Sequence, residues 1–391
     1  MKWKNKGHEY DQIGEMICSL NKKDTTFYIW GAGTFGVSFY ELFRNEINIH
    51  GYIDSNPEKQ GKEIGGVKVY SPDFLDKKDF FVLVSAGWTK EIYEKLESYG
   101  YKKGQNFLHI DDFTSLYHWY KDRKVYLSDI TYQITERCSL RCKNCNSFIP
   151  KITNPQNIPF DIIMKNFEQF FQYVDNVNVL GIVGGDAMMH PEFAQIIDEL
   201  GRRYYPNKAS HLEVYCNAVI IPSIETLQIL KKYDVFYRFS DYRPYTEGRQ
   251  KIEEIIALLE KYGIRYDHVK FEKWCDCGYP QMSNGICGEK DLTEFFDSCD
   301  RKSCHILVDG YVINCGMARS ADKINYCNLD STDIFDISYY DESKRIELIE
   351  YMLGYSEKGY LNYCRMCNGS YNVNTKLIEA GEQLGTKNEN K

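Results

Sequence analysis

Cys138-Ser139-Leu140-Arg141-Cys142-Lys143-Asn144-Cys145 sets three thiols at C-x3-C-x2-C spacing, directly after the β-like run ITYQIT at 130–135. Thiolates are soft ligands and select iron–sulfur clusters, zinc or copper. A structural zinc site is closed by four ligands. This loop supplies three and stops. A cubane cluster held by three cysteines keeps one iron open to a further ligand, as a catalytic cluster requires. A zinc knuckle or scattered core thiols are the bland alternatives that the loop alone leaves open.

The bulk numbers place the rest of the chain around this loop. A length of 391 residues predicts two or three domains, and 43% hydrophobic residues predict a globular chain. The formal charge of −8 and the absence of a long basic run argue against nucleic acid and anionic membranes as partners. The basic start MKWKNKG has no apolar stretch behind it, so neither a signal peptide nor a bilayer span is expected. We therefore expect a cytoplasmic protein. Fourteen cysteines in such a chain argue for metal rather than disulfides. Eleven of them lie between Cys138 and Cys327, two more are Cys364 and Cys367, and only Cys18 falls in the first third, so the metal chemistry belongs to the last two-thirds.

The first domain is expected at 1–112. TTFYIW at 25–30 reads as a buried strand, followed by Gly31-Ala-Gly33-Thr-Phe-Gly36 and a helix-like segment to about Arg44. Further strands are expected at 47–53, 80–85 and 106–110, and a helix at 89–99. Asp54 ends the second strand, near where an acid meets a ribose in dinucleotide sites. Gly31, Gly33 and Gly36 allow a tight turn and close phosphate approach. They fit a nucleotide site or a turn kept without a ligand equally well, since only one mononucleotide half is present. The unit resembles small Rossmann-like domains fused to enzymes of surface-glycan and sugar-nucleotide pathways. Residues 113–126, rich in aromatics, are expected as a linker helix.

From 127 to 285 strands alternate with helices, the pattern of a parallel sheet. Five or six such units fit a partial (β/α)6 barrel, whose chemistry sits at the C-terminal strand ends. The loop motifs fall at those ends. Gly184-Gly185-Asp186 follows one strand, with His190-Pro191 close behind, Asn217 follows the next, and Ser240 ends the one after.

The cysteine triad with Gly-Gly-Asp downstream resembles the radical S-adenosylmethionine (SAM) superfamily, and the likeness spans the chain beyond the first domain. It implies a TIM-like α/β barrel with a 4Fe-4S cluster on Cys138, Cys142 and Cys145. The open iron takes the amino and carboxylate groups of SAM, and electron transfer yields a 5′-deoxyadenosyl radical that abstracts a hydrogen atom. Gly184, Gly185 and Asp186 match the family's Gly-Gly-Glu at the SAM amino group, with an acid one methylene shorter, so the backbone is expected to carry more of that contact. Asn217 and Ser240 match its polar SAM contacts, with Asp241 or Tyr242 as alternatives to Ser240. Asn144 stands where the family usually has an aromatic residue. A flavodoxin- or ferredoxin-type donor is implied as the electron source.

Residues 286–375 carry a second array. Cys299 and Cys304 precede a hairpin turning at Asp309-Gly310 and ending at Cys315, and Cys364-Arg-Met-Cys367 closes it. The array resembles the twitch/SPASM auxiliary-cluster region of that superfamily. It implies one auxiliary 4Fe-4S cluster on Cys304, Cys315, Cys364 and Cys367, with Cys299 as the alternative to Cys304. A zinc ribbon has the same spacing. Cys275, Cys277, Cys287 and Cys327 are left to hold a second cluster, shape the substrate pocket, pack, or donate a hydrogen atom to a substrate radical, Asp276 is a weak substrate candidate, and the polar tail at 376–391 is expected to fray.

The expected activity is hydrogen abstraction from a small-molecule substrate, a sugar, polyol or nucleotide sugar, ending in oxidation, epimerisation or elimination. The alternatives are a peptide- or protein-modifying maturase, a zinc-stabilised binding scaffold without catalysis, and an NAD-dependent dehydrogenase run by the first domain.

Overall fold

The computed structural model describes residues 1–20, 25–87, 89–243, 245–246, 248–278, 284–286 and 288–385. Two compact units form, one from Asn5–Tyr126 and one from Met1–Lys4 with Leu127–Lys391. Among the described residues no helix is long and apolar enough to cross a membrane.

In the 5–126 unit, α1 (Asp11–Leu20) leads to β1 (Phe27–Trp30), α2 (Thr34–Phe43), β2 (Ile49–Ile53), β3 (Glu63–Ile64), β4 (Val67–Tyr70), β5 (Phe81–Val84), α3 (Lys90–Ser98), β6 (Phe107–His109) and α4 (Ile110–Asp122). The sheet order is β3-β4-β2-β1-β5-β6. β1 runs parallel to β2 and β5. Every residue of β1 and β5 is buried, as central strands of a parallel sheet covered on both faces must be. The antiparallel β3–β4 hairpin was not among the expected strands. Its signal is Ile64-Gly65-Gly66-Val67, with φ of +60° and +78° at the two glycines, the geometry of a two-residue hairpin turn. The stretch read as a linker helix falls largely in α4, whose Phe113 packs on Phe27, Phe39, Phe43 and Phe81. That helix is core to this unit rather than a connector.

The larger unit runs through β7 (Tyr126–Thr135), α5 (Phe160–Tyr173), β8 (Asn176–Gly184), α6 (Phe193–Tyr204), β9 (Ala209–Cys216), α7 (Ile224–Lys232), β10 (Phe236–Asp241), α8 (Ile252–Tyr262) and β11 (Tyr266–Lys270). β12 (Lys273–Cys275), α9 (Glu289–Ser298), β13 (Ile306–Val308), β14 (Tyr311–Ile313), α10 (Gly316–Lys323), β15 (Phe335–Asp336), α11 (Lys344–Met352) and β16 (Leu377–Glu379) follow. The main sheet has the order β11-β10-β9-β8-β7-β13-β14-β15. β8 to β11 pair in parallel. β7 and β8 run in the same sense, because Gly181 lies against Thr131 and Gly184 against Thr135.

The sixth parallel member comes from an unexpected place. β13, from the cysteine-rich region, pairs in parallel with β7. β12, where a last barrel strand was expected, instead pairs antiparallel with β16. Residues 286–375 are thus built into the sheet. The tail does not fray over its described part either: 377–379 form β16, and backbone bonds join Lys143 to Glu382 and Leu384 to Arg141.

The helices pack by one-sided apolar stripes. α5 buries Ile163, Phe167, Phe170 and Phe171, and α8 buries Ile252, Ile255 and Leu259. These are i, i+3/i+4, i+7 spacings, each side chain worth about 1.5–3 kcal/mol on burial. Gly263 at φ +61° closes α8 in the left-handed conformation that a C-terminal cap requires.

Candidate metal and cofactor site

The three-cysteine loop is clamped before it begins. The Thr135 hydroxyl bonds Asn157 Oδ1 at 2.7 Å and accepts from Arg137 N at 3.1 Å. The Gly-Gly-Asp turn then docks on it: Gly185 N donates to Thr135 O at 2.9 Å and Asp186 N to Arg137 O at 2.8 Å. A Cβ on Gly185 would stand 2.5 Å from Arg137 O, so only glycine lets the two loops meet.

Burial pushes the Cys138 thiol up to about 12, with Asp186, Cys145 and Cys142 adding to the rise. Burial raises Cys142 to about 11, and Cys145 is raised by burial as well. N–H donors oppose this: Leu140 N reaches Cys138 Sγ at 3.4 Å, and the amides of Ile149, Ser147 and Phe148 point at Cys145. Three crowded, desolvated thiols become ligating thiolates only beside a strong cation, and backbone N–H donors to sulfur are a protein's means of tuning a cluster. The donor set suits a cluster, whose thiolates each bind a separate iron.

Ser139 gathers the sequence-predicted SAM residues. Its hydroxyl contacts Asp186 Oδ2 at 3.2 Å and Asn217 Oδ1 at 3.2 Å, and accepts from Asn217 Nδ2 at 2.9 Å. Asn217 Nδ2 also lies 3.5 Å from Cys138 Sγ. Asp186 is 1% exposed. Burial raises its carboxyl to about 6, against the pull of bonds from Met188 N and Ser139. Ser240 joins through Gln250, whose Nε2 donates to Asn217 O at 2.6 Å and Ser240 O at 2.7 Å. Cys138, Gly185, Asp186, Asn217 and Ser240 therefore converge at the ends of β7, β8, β9 and β10.

Three residues of this site, Ser139, Gln250 and Gln383, were missed. Ser139 and Gln250 are the links just described. The half-buried Tyr242, an alternative to Ser240 as a polar contact, has its phenol raised, first by burial, and it senses all three loop thiols. Gln383 comes from the tail: its Nε2 donates to Cys142 Sγ at 3.2 Å, and its Oε1 accepts from Arg141 N at 2.8 Å and Arg249 at 2.9 Å.

The thiols of the second array lie in overlapping neighbourhoods. Burial raises Cys315 to about 12, the amides of Ala318 and Met317 oppose it, and Cys299 and Cys304 add to the rise. Cys364 is raised by burial and by Cys315 and Cys299. Cys299, Cys304, Cys315 and Cys364 thus form one group. Cys367 stands with Cys277 through a direct thiol hydrogen bond, and Cys275 is adjacent to Cys277. Tyr363 lies near Cys367, Cys315 and Cys277 and so joins both groups. Cys327 faces Asp333 and Asp322 instead. The Asp276 carboxylate pairs with Lys376 at 2.6 Å. Cys287 lies outside the described residues.

A pocket opens beside these thiols. Gln133 of β7, Asn146 and Ser147 just past Cys145, Arg301 and Arg319 line it, with Cys304 and Cys315 on its wall.

In the smaller unit, Gly33 caps α2, and a Cβ on Gly36 would stand 1.9 Å from Gly31 O. Asp54 is engaged within its own turn: it accepts from Ala32 N at 2.9 Å, Asn56 N at 2.9 Å and Lys59 Nζ at 3.0 Å. Burial raises its carboxyl, but these bonds outweigh it and hold the carboxyl below the usual range. The acid expected at a ribose thus bonds the backbone of the glycine turn.

The family model "C2185-like, N-terminal" matches residues 23–106. No curated protein matches the chain. Among solved structures, BtrN in complex with AdoMet and 2-DOIA aligns at TM-score 0.41 and 12% identity, over 64% of this chain and 98% of that one. Native anSMEcpe with AdoMet and the Cp18Cys peptide aligns at TM-score 0.40 and 13% identity, over 63% and 88%. RSP in complex with β-NADH aligns at TM-score 0.19 and 21% identity, over 24% and 52%.

Proposed function

We propose that the chain is a radical SAM enzyme acting on a small polar molecule, a sugar, polyol or nucleotide sugar. The observation that carries the reading is the junction at Ser139, which ties Cys138 of the three-thiol loop to Asp186 and Asn217 on neighbouring strand ends. Cys138, Cys142 and Cys145 would hold a 4Fe-4S cluster, and Cys304, Cys315, Cys364 and Cys367, with Cys299 as the alternative to Cys304, an auxiliary one. A cluster held there with SAM would supply one-electron chemistry able to remove a hydrogen atom from the substrate.

The chain's own residues bind, orient and exclude water. The Gly184-Gly185 backbone lets the methionine end of SAM approach closely. The Asp186 carboxylate complements an ammonium there, which would draw its raised pKa back down. Asn217 and Ser240 offer polar contacts at the next two strand ends. The Tyr242 ring and the 380–384 segment shield the loop thiols from solvent. Gln133, Asn146 and Ser147 in the pocket beside Cys304 and Cys315 offer hydrogen-bonding groups that suit a small hydroxylated substrate.

The test is anaerobic reconstitution followed by iron and sulfide analysis, then SAM cleavage under a strong reductant. About eight irons per chain and release of 5′-deoxyadenosine are expected. Replacing Cys138, Cys142 and Cys145 with alanine should remove about four irons and all 5′-deoxyadenosine. Zinc in place of iron, with no 5′-deoxyadenosine, overturns the reading.

A further inference from the structure

The pocket beside Cys304 and Cys315 carries an excess of positive charge. Arg319, 8% exposed, is fixed by Gln133 Oε1 at 3.0 Å. Its nearest carboxylate, Glu136, stands 3.8 Å away and is already paired with Lys323 at 2.8 Å. Arg301 bonds Ser370 Oγ at 3.3 Å and lies 4.0 Å from Cys304 Sγ. Asp300 acts on it through space, yet no carboxylate among the described residues comes within ion-pair distance of Arg301. Two guanidiniums sharing one partly desolvated space repel each other, and a planar fork of donors is the natural partner of an oxoanion. Asn146 and Ser147 add polar side chains on the wall that continues from Cys145.

We infer that Arg301 and Arg319 form an anion subsite that holds a phosphate or carboxylate group of the substrate, so that within the small-molecule class the substrate is an acid or a phosphoester. The inference rests on the reading of this pocket as the substrate site. It places the charged end of the substrate on the arginines and the remainder beside the loop that follows Cys145.

The experiment is calorimetric titration of the anaerobically reconstituted full chain with inorganic phosphate, pyrophosphate and acetate, in parallel with iron analysis. Saturable binding of phosphate or pyrophosphate is expected, weakened at least about tenfold by Arg301→Met or Arg319→Met with iron content unchanged. Acetate binding in the same way assigns a carboxylate, and its failure assigns a phosphate. Arg301→Lys and Arg319→Lys keep the charge without the fork and should weaken binding a few-fold, which decides the matter if the methionine variants do not fold. No anion binding, or binding indifferent to all four substitutions, overturns the inference. Loss of about four irons in the variants, with anion affinity kept, also overturns it and makes the arginines counter-charges to the sulfur site. Arginine-dependent anion binding in a chain that releases no 5′-deoxyadenosine leaves the subsite standing and removes the radical chemistry alone.

Discussion

Asp186 carries the sharpest consequence of a single residue's surroundings. Its carboxyl is buried, accepts from Met188 N, Ser139 and the Asn217 backbone, and is raised by burial to about 6 from an ordinary value of 3.8. A carboxyl raised on folding binds its proton more tightly in the native state. Its contribution to stability is therefore complete below about pH 4 and is lost as pH rises through about 6. The loss amounts to about 2–3 kcal/mol. Asp241 is the opposite case. Burial raises it, but Arg243 and His268 outweigh burial and hold it at about 2, so its contribution is present above about pH 4 and fades in acid. The two trends overlap in a raw melting curve, and Asp186→Asn separates them. In the SAM-free protein, the stability difference between Asp186→Asn and wild type should shift by about 2–3 kcal/mol between pH 4 and pH 7, in favour of the variant at the higher pH. Denaturant melts at four or five pH values read it. A difference that stays flat with pH rules out a buried, raised carboxyl.

At the scale of elements, the tail makes the strongest claim. β16 pairs with β12, and the following residues run antiparallel to the cysteine loop at Cys142 and Gln383. Gln383, 4% exposed, satisfies Cys142, Arg141 and Arg249 together. Removing one partner of a buried hydrogen bond costs about 1–3 kcal/mol. Gln383→Leu should therefore lower the stability of the larger unit by that amount and lower the retention of core iron under air. A chain ending at residue 376 should also open Cys142 to alkylation in the metal-free protein, while Cys145, held by its own loop amides, labels more slowly. Peptide mass spectrometry after iodoacetamide gives the comparison, and equal labelling with and without the tail would show that the strap does not cover the loop. None of this was legible beforehand. The triad and Gly-Gly-Asp could be read because each sits in one loop, where spacing maps onto geometry. Gln383 reaches Cys142 from a distant part of the chain, and nothing local marks a glutamine in a polar tail as a buried donor.

At the scale of the whole chain, the first four residues belong to the larger unit, although residues 5–126 intervene before that unit resumes. The sequence reading gave these residues to the first domain, since nothing in MKWKNKG points to a partner more than 350 positions away. The structure shows what holds them. Met1 N donates to Gly354 O at 2.6 Å, Trp3 N to Ser356 O at 3.1 Å, and Ser356 N to Met1 O at 3.0 Å. The Trp3 indole N–H donates to Glu350 Oε2 at 2.8 Å, and its ring tilts against Tyr351 at 6.3 Å. Glu350 is 0% exposed, so its carboxylate depends on such donors. Trp3→Ala removes an aromatic contact and a bond to a buried acid together, a loss of about 3–5 kcal/mol. Because Trp3 lies outside the compact Asn5–Tyr126 unit, the cost should fall on one unit only. In scanning calorimetry of the full chain, the transition assigned to the larger unit should move down by several degrees while that of the 5–126 unit stays in place. Trp3→Phe keeps the ring and loses the N–H, so it should recover the packing share of the loss and leave the share due to Glu350. If both transitions fall together, the N-terminal residues stabilise the chain as a whole, and the division into two independently melting units is wrong.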